Sequence, residues 1–310
     1  MLTGECICAL QGGERGTIKP KANFDAEQDA AALKKAIDGF GTNEKIVIEI
    51  LTTRSSAQRQ LICKAYEKAT SRINLYQSDG MELLMIQSMS WFAGTKDKVL
   101  IEIFASRSNQ QIKALSDVYF KETKKQLTAA LEREVSGDYS KALLLLALGK
   151  RDESTTVDVN KAREDAKTLY NAGEKKWGTD ESKFIEILCK KSIPHLRQTV
   201  IEYKNISGKT LQQSIEGEMS GDLENLLVAV VKCVKSVPGY FAELLHESMK
   251  GAGTDESTLT RIMVSRSEID LLDIRAEFKK LYGHSLLSAI KSDLSGDQCE
   301  CVKAICGGDD

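Results

Sequence analysis

Met249-Lys250-Gly251-Ala252-Gly253-Thr254-Asp255-Glu256 is followed by Asp293-Leu294-Ser295-Gly296-Asp297, and Asp293 stands 40 residues after Gly253. Two glycines let a short loop turn its carbonyl oxygens inward without a Cβ penalty. About three helices of roughly ten residues, each near 15 Å long, fill the interval, so the chain can run away from the loop and fold back beside it. The same offset separates Gly94 from Glu134 and Gly178 from Glu218. Backbone carbonyls with one bidentate carboxylate are hard oxygen donors, the chemistry of Ca2+, which takes 6–8 oxygens in flexible geometry. One carboxylate supplies little charge, so the affinity of the protein alone is expected to be weak. Positions left to water could accept an anionic oxygen such as a lipid phosphate, and the ion would then bridge protein and membrane.

Working outward, Gly-Xaa-Gly-Thr occurs at 39–42 and 251–254, and degenerate copies end at Thr95 and Thr179. Five, eight and nine places after each threonine stand Val47, Ile50, Leu51; Leu100, Ile103, Phe104; Phe184, Ile187, Leu188; and Leu259, Ile262, Met263. That spacing predicts the buried face of a helix, four times over. Each helix is expected to end on a cation (Arg54, Arg107, Lys191, Arg266) followed by a capping serine (Ser55, Ser108, Ser192, Ser267). Gln58, Gln111 and Asp270 lie three residues beyond, where a capping-box partner reaches back. A later signature, Ser136-Gly137, Ser220-Gly221 and Ser295-Gly296, each before Asp, falls on Leu83-Leu84 in the first copy and fails there.

The threonines are 53, 84 and 75 residues apart. A polar connector, 149–160, accounts for the 84; the 53 means that the first unit has lost material between Tyr66 and Trp91. The expected organisation is a tail (1–24), a truncated first repeat (25–80), and repeats at 81–149, 150–235 and 236–310.

Composition agrees with an all-α fold. The chain has 310 residues, 42% hydrophobic and 28% charged, with a net charge of -2 and 3 prolines, none between Pro20 and Pro194. Average usage would give roughly 15 prolines, and proline is the strongest helix breaker. The longest uncharged stretch, 83–95, is 13 residues against the roughly 20 that span a bilayer. The opening residues carry no secretory pattern, and the eight cysteines are expected to be cytosolic thiols without a zinc set. Near-neutral charge gives no footprint for nucleic acid.

These motifs resemble the annexin family: the 250–256 loop with 293–297 matches its type II calcium site, and the ending Cys306-Gly307-Gly308-Asp309-Asp310 is similar to vertebrate members. The resemblance spans 25–310 with a gap around 70–94. It implies an all-α array of four repeats of about five helices, a curved disc that binds acidic phospholipid through calcium on its convex face. It implies no catalysis, a cytoplasmic protein reversibly peripheral at membranes, and protein partners for the N-terminal tail. Carried over, the fourth site is Met249, Gly251 and Gly253 with Asp293. The third is Gly173, Lys176 and Gly178 with Glu218, Trp177 standing at the loop tip as an interfacial aromatic. In the second, Phe92 replaces the first glycine, leaving Gly94 and Glu134. The first keeps Ile37, Gly39 and Gly41 but has Met81 at the acid's offset, with Gln77, Asp79 and Glu82 nearby, and is expected to be defective. Arg107, Glu102 and Arg261 correspond to the family's central hydrophilic channel, against which inter-repeat ion pairing is the favoured reading.

His195, His246 and His284 are isolated in sequence and read as structural. Leu143 to Leu146 reads as helix core. No phosphate loop, EF-hand pattern or nucleophile with a positioned base is present. The competing class is a helical-repeat scaffold for protein partners with structural calcium loops. In the shortened repeat, Ile62 and Tyr66 are expected to lose their cover, and 83–95 to refill the groove as one irregular helix.

Overall fold

Seventeen helices and no strand occur among the described residues, 15–38, 42–70, 97–175, 178–251 and 253–309 of a computed structural model. The first repeat contributes α1 (Ala26–Asp38), α2 (Glu44–Thr53) and α3 (Ser56–Thr70). The second contributes α4 (Asp97–Ser106), α5 (Asn109–Thr123), α6 (Leu127–Glu134) and α7 (Gly137–Ala147). The third has α8 (Val159–Ala172), α9 (Glu181–Lys190), α10 (Ile193–Ser207), α11 (Leu211–Glu218) and α12 (Gly221–Lys235). The fourth has α13 (Val237–Ser248), α14 (Glu256–Arg266), α15 (Leu271–Tyr282), α16 (Leu286–Asp293) and α17 (Gly296–Cys306). The chain divides into two compact units, residues 1–81 with 241–310, and 82–240. Spatial division therefore joins the sequence-distant first and fourth repeats in one unit.

The four predicted helix faces are α2, α4, α9 and α14. In the last three every predicted position is buried; of Leu143 to Leu146 on α7, Leu143 and Leu146 are buried and Leu144 and Leu145 half-buried. The first repeat differs, because Leu51 is 44% exposed and Leu61 49%. Ile62 and Tyr66, the groove that 83–95 is expected to refill, are 2% and 9% exposed, in a cluster with Ala30, Leu33 and Ile50. α1 lies against both α2 and α3 and contributes to that cluster; α2 also packs against α17, while Leu51 of α2 and Leu61 of α3 stay exposed. The expected helix at 83–95 lies outside the described residues.

At the corner after each second helix the cation does more than cap. Arg54 is buried with Asp29 of α1, its Nε and Nη2 donating at 2.6 and 2.8 Å. Lys191 pairs with Asp165 of α8 at 3.2 Å, and His195 meets the same carboxylate at 2.7 Å. In the fourth repeat the position 25 residues before the cation is Phe241, and Arg266 lies over its ring at 4.5 Å. With an aromatic ring rather than an acid at that position, Arg266 also bonds Asp270, at 2.7 and 2.6 Å. The expected capping box at Ser267 and Asp270 is consequently not formed, and the Ser267 hydroxyl donates back to the Val264 carbonyl. Boxes do form at Ser55 with Gln58 and at Ser108 with Gln111, and Ser192 accepts from the His195 N–H.

The connector ends earlier than expected, at Asp158, which caps α8 by accepting from the Asn160 and Lys161 N–H groups. Arg151 fastens the connector through Nη1, which donates to the carbonyls of Leu188 and Lys191. Residues 15–24, expected as part of a tail, are instead packed within the first unit. Ile18 N–H donates to the Ser267 carbonyl, Thr17 Oγ1 to that of Ile305, and Leu272 N–H to that of Arg15. At Gly16 an added Cβ would lie 2.5 Å from the Glu268 backbone, so no larger residue fits without movement. Further along, the Gln58 amide both donates to and accepts from the backbone of Lys21. Glu268 closes the junction by accepting from the Ser56 N–H at 2.6 Å, and burial pushes its carboxyl upward.

Candidate metal centres

The loop between α13 and α14 is closed at its base by the Asp255 N–H, which donates to the Ser248 carbonyl at 2.8 Å. Asp255 then caps α14 by accepting from the Thr258 N–H. Gly251 and Gly253 have φ of 106 and 115°, which L side chains rarely adopt. An added Cβ at either would meet nothing within 4 Å. Backbone conformation, not crowding, therefore demands these glycines, and they border open space. Across the repeat, α16 ends on Asp293, whose Oδ2 accepts from Thr254 Oγ1 at 2.5 Å. The acid predicted from a 40-residue offset is thus beside the loop.

The third repeat is built the same way with one more residue in the loop. Asp180 N–H donates to the Ala172 carbonyl at 2.8 Å, and α11 ends on Glu218. Thr179 Oγ1 lies 3.2 Å from Glu218 Oε2 and 3.3 Å from the Glu218 carbonyl. Gly178 has φ of 81°, whereas Gly173 has φ of -114° and lies close to Phe184, a Cβ there standing 3.1 Å from the ring. The side chain of Glu174 accepts from Lys209 Nζ through both oxygens, at 2.9 and 2.8 Å. That hydrogen bond holds the Glu174 carboxyl below the usual carboxylate range. Lys176 and Trp177 lie outside the described residues.

In the second repeat Glu134 is exposed at the end of α6, while Phe92 and Gly94 lie outside the described residues. In the first, Asn43 N–H donates to the Ala36 carbonyl at 2.9 Å and Ile37 is exposed. Gly39, Gly41, Gln77, Asp79, Met81 and Glu82 lie outside the described residues. Glu102 and Arg261 are buried, and Arg107 donates to Ser106 Oγ. His246 stacks on Tyr282 at 3.8 Å and His284 meets the edge of Phe278.

Among the described residues no group of three or more His, Cys, Asp and Glu gathers in metal-ligating fashion. A loop offering carbonyls with one carboxylate fits a large hard cation. Sequence reasoning used the frame threonines only as a ruler and missed that Thr254 and Thr179 face the acids. Their fixed distance of 39 residues from each acid was the signal available. The Glu174–Lys209 pair was missed as well, because nothing in a sequence pairs a loop with a turn 35 residues away.

Helical repeats that each close a glycine loop beside an acid from the far end of the same repeat define a class of cation-binding repeat proteins. The annexin family model matches residues 28–76, 90–146, 164–230 and 240–305, and the chain belongs to the annexin family. Annexin A3 of Homo sapiens is 51% identical over 324 aligned positions, covering 98% of this chain and all of the relative. Annexin A5 of Gallus gallus is 44% identical, covering 96% and 98%. Among solved structures, annexin III is 48% identical with a TM-score of 0.87, covering 97% of this chain and 99% of that one. Calcium-bound annexin (Sm)1 is 34% identical with a TM-score of 0.75, covering 95% and 93%. The family-model break between 76 and 90 coincides with the shortened first repeat.

Proposed function

We propose that this chain is a non-enzymatic protein that binds acidic phospholipid membranes reversibly when calcium rises. The observation that carries the reading is the return of Asp293 and Glu218 to the rims of glycine loops. In the fourth loop calcium would be held by the carbonyls of Met249, Gly251 and Gly253 with the Asp293 carboxylate. In the third it would be held by the carbonyls of Gly173, Lys176 and Gly178 with Glu218. The bound ion supplies a positive centre with positions open to a lipid phosphate. The protein's own part is to fix the loop backbone and orient the acid. Glu134 is proposed as a reduced second site, and the loop at Ile37, Gly39 and Gly41 as one that lacks its acid. Trp177 is proposed to enter the lipid interface beside the third loop.

No helix among the described residues is long and apolar enough to cross a membrane, so attachment is proposed to be peripheral, from the cytoplasm. Protein partners are proposed for the stretch ahead of Arg15, because Arg15 to Lys21 are engaged within the first unit. The test is sedimentation with phosphatidylserine vesicles. Binding should rise steeply with calcium and vanish in chelator; binding that persists unchanged in chelator would remove calcium bridging as the mechanism.

A further inference from the structure

The third and fourth loops differ in one feature that the repeat pattern does not require. Aligned on the closing hydrogen bonds at Ala172 and Ser248, Glu174 corresponds to Lys250. Thirty residues after the frame threonine the third repeat has Lys209, at the turn between α10 and α11, and the fourth has His284. Lys250 pairs with the exposed Glu247, at 3.4 Å. Glu174 is largely buried, its side chain 17% exposed, and grips Lys209 with both oxygens. Lys209 also interacts electrostatically with Glu218. The buried hydroxyls of Tyr203 and Ser214 lie beside them, Ser214 acting on both Glu174 and Tyr203, and Tyr203 feeling the charge of both Glu174 and Glu218. Two carboxylates, one ammonium and two buried hydroxyls are therefore coupled at the third loop.

We propose that Glu174 is a second carboxylate of the third calcium site, held by Lys209 in the calcium-free protein and released to the ion, so that Lys209 acts as a built-in competitor. The inference rests on the calcium reading given above. A divalent cation entering beside Glu218 repels the ammonium and attracts the freed carboxylate, which can reach it directly or through a water held by Ser214 and Tyr203. The fourth site, with Lys250 and His284 at the two positions, has no such competitor and no such reserve. Charge arithmetic then fixes the sign. Removing Lys209 takes the local charge from -1 to -2 and tightens calcium binding; removing Glu174 takes it to 0 and weakens it.

The experiment is calcium calorimetry, without lipid, on the full chain carrying D293N and E134Q so that the third loop is the site observed. In that background Lys209→Met should bind calcium roughly fivefold more tightly, the effect of one unit charge several Å away at intermediate dielectric. Lys209→Arg, which keeps the charge, should stay near the parent value. Glu174→Gln added to Lys209→Met should abolish the gain. An affinity unmoved or weakened by Lys209→Met would overturn the proposal, making the pair a structural brace. A gain that survives Glu174→Gln would also overturn it, since Glu174 would then take no part. Absence of calcium heat in the parent and every variant would overturn the calcium reading of the third loop itself, and this inference with it. Thermal unfolding of each variant, expected within a few degrees of the parent, guards against an effect of misfolding.

Discussion

Asp293, Glu218 and Glu134 are each the last residue of an eight-residue helix. A carboxylate at a helix C-terminus faces the negative end of the macrodipole, at a cost of about 0.3–1 kcal/mol that a bound cation reverses. Only Asp293 and Glu218 have a described frame threonine facing them. Asp293→Asn should therefore raise the calcium needed for half-maximal vesicle binding on the order of tenfold, about 1.4 kcal/mol. Glu134→Gln should raise it far less, because Phe92 stands where its loop needs glycine; equal shifts would show an intact second site. Buried charge makes a separate prediction at Asp29. Its pair with Arg54 is bidentate and nearly solvent-free, so Asp29→Asn leaves a buried cation and should cost about 3–5 kcal/mol in urea unfolding. A loss below about 1 kcal/mol would mean that Arg54 is satisfied by Thr53 and water.

Among elements, α2 and α14 occupy corresponding places but are not equally supported. Leu259, Ile262 and Met263 of α14 are fully buried, whereas α2 buries Ile50 and leaves Leu51 and Ile46 exposed. Local opening follows the apolar contact that must be broken, so α2 and α3 should open before α14 and α15. Hydrogen exchange of native protein is expected to give amide rates in 44–70 at least roughly tenfold above those in 256–282, with calcium slowing the latter more. Equal protection, raised equally by calcium, would contradict the asymmetry. Sequence showed the short 53-residue interval but not which side chains bear its effect. Ile62 and Tyr66 are buried with Ala30 and Leu33 of α1, whereas Leu51 and Leu61 are the exposed ones. Periodicity identifies an apolar face, and only packing tells which neighbour meets it.

On the scale of the whole molecule, the third and fourth loops belong to different compact units of one chain. Two ion-bridged contacts made by one chain to the same membrane reinforce each other, because the second forms at high effective concentration once the first holds. Asp293→Asn with Glu218→Gln should accordingly reduce vesicle binding by more than either single loss, to the chelator level at calcium concentrations where each single variant still sediments. A double variant that binds as well as a single one would place attachment elsewhere.

What the sequence by itself determined was the repeat: four threonine frames, helix faces at fixed spacing, capping serines at three of the four corners, and an acid returning after 40 residues in three of the four repeats. Those features are local or periodic, and helix geometry converts them into directions without knowledge of the fold. Tertiary structure alone decided which charges meet. It put Asp29 on Arg54, gave Arg266 an aromatic face because α13 carries Phe241, and seated Lys209 on Glu174 across 35 residues. It also drew 15–18 into the first unit, against residues more than 200 positions away. Pairing of this kind depends on two helix ends arriving at one point, and a chain's spacing does not record where a turn on one helix lands against another.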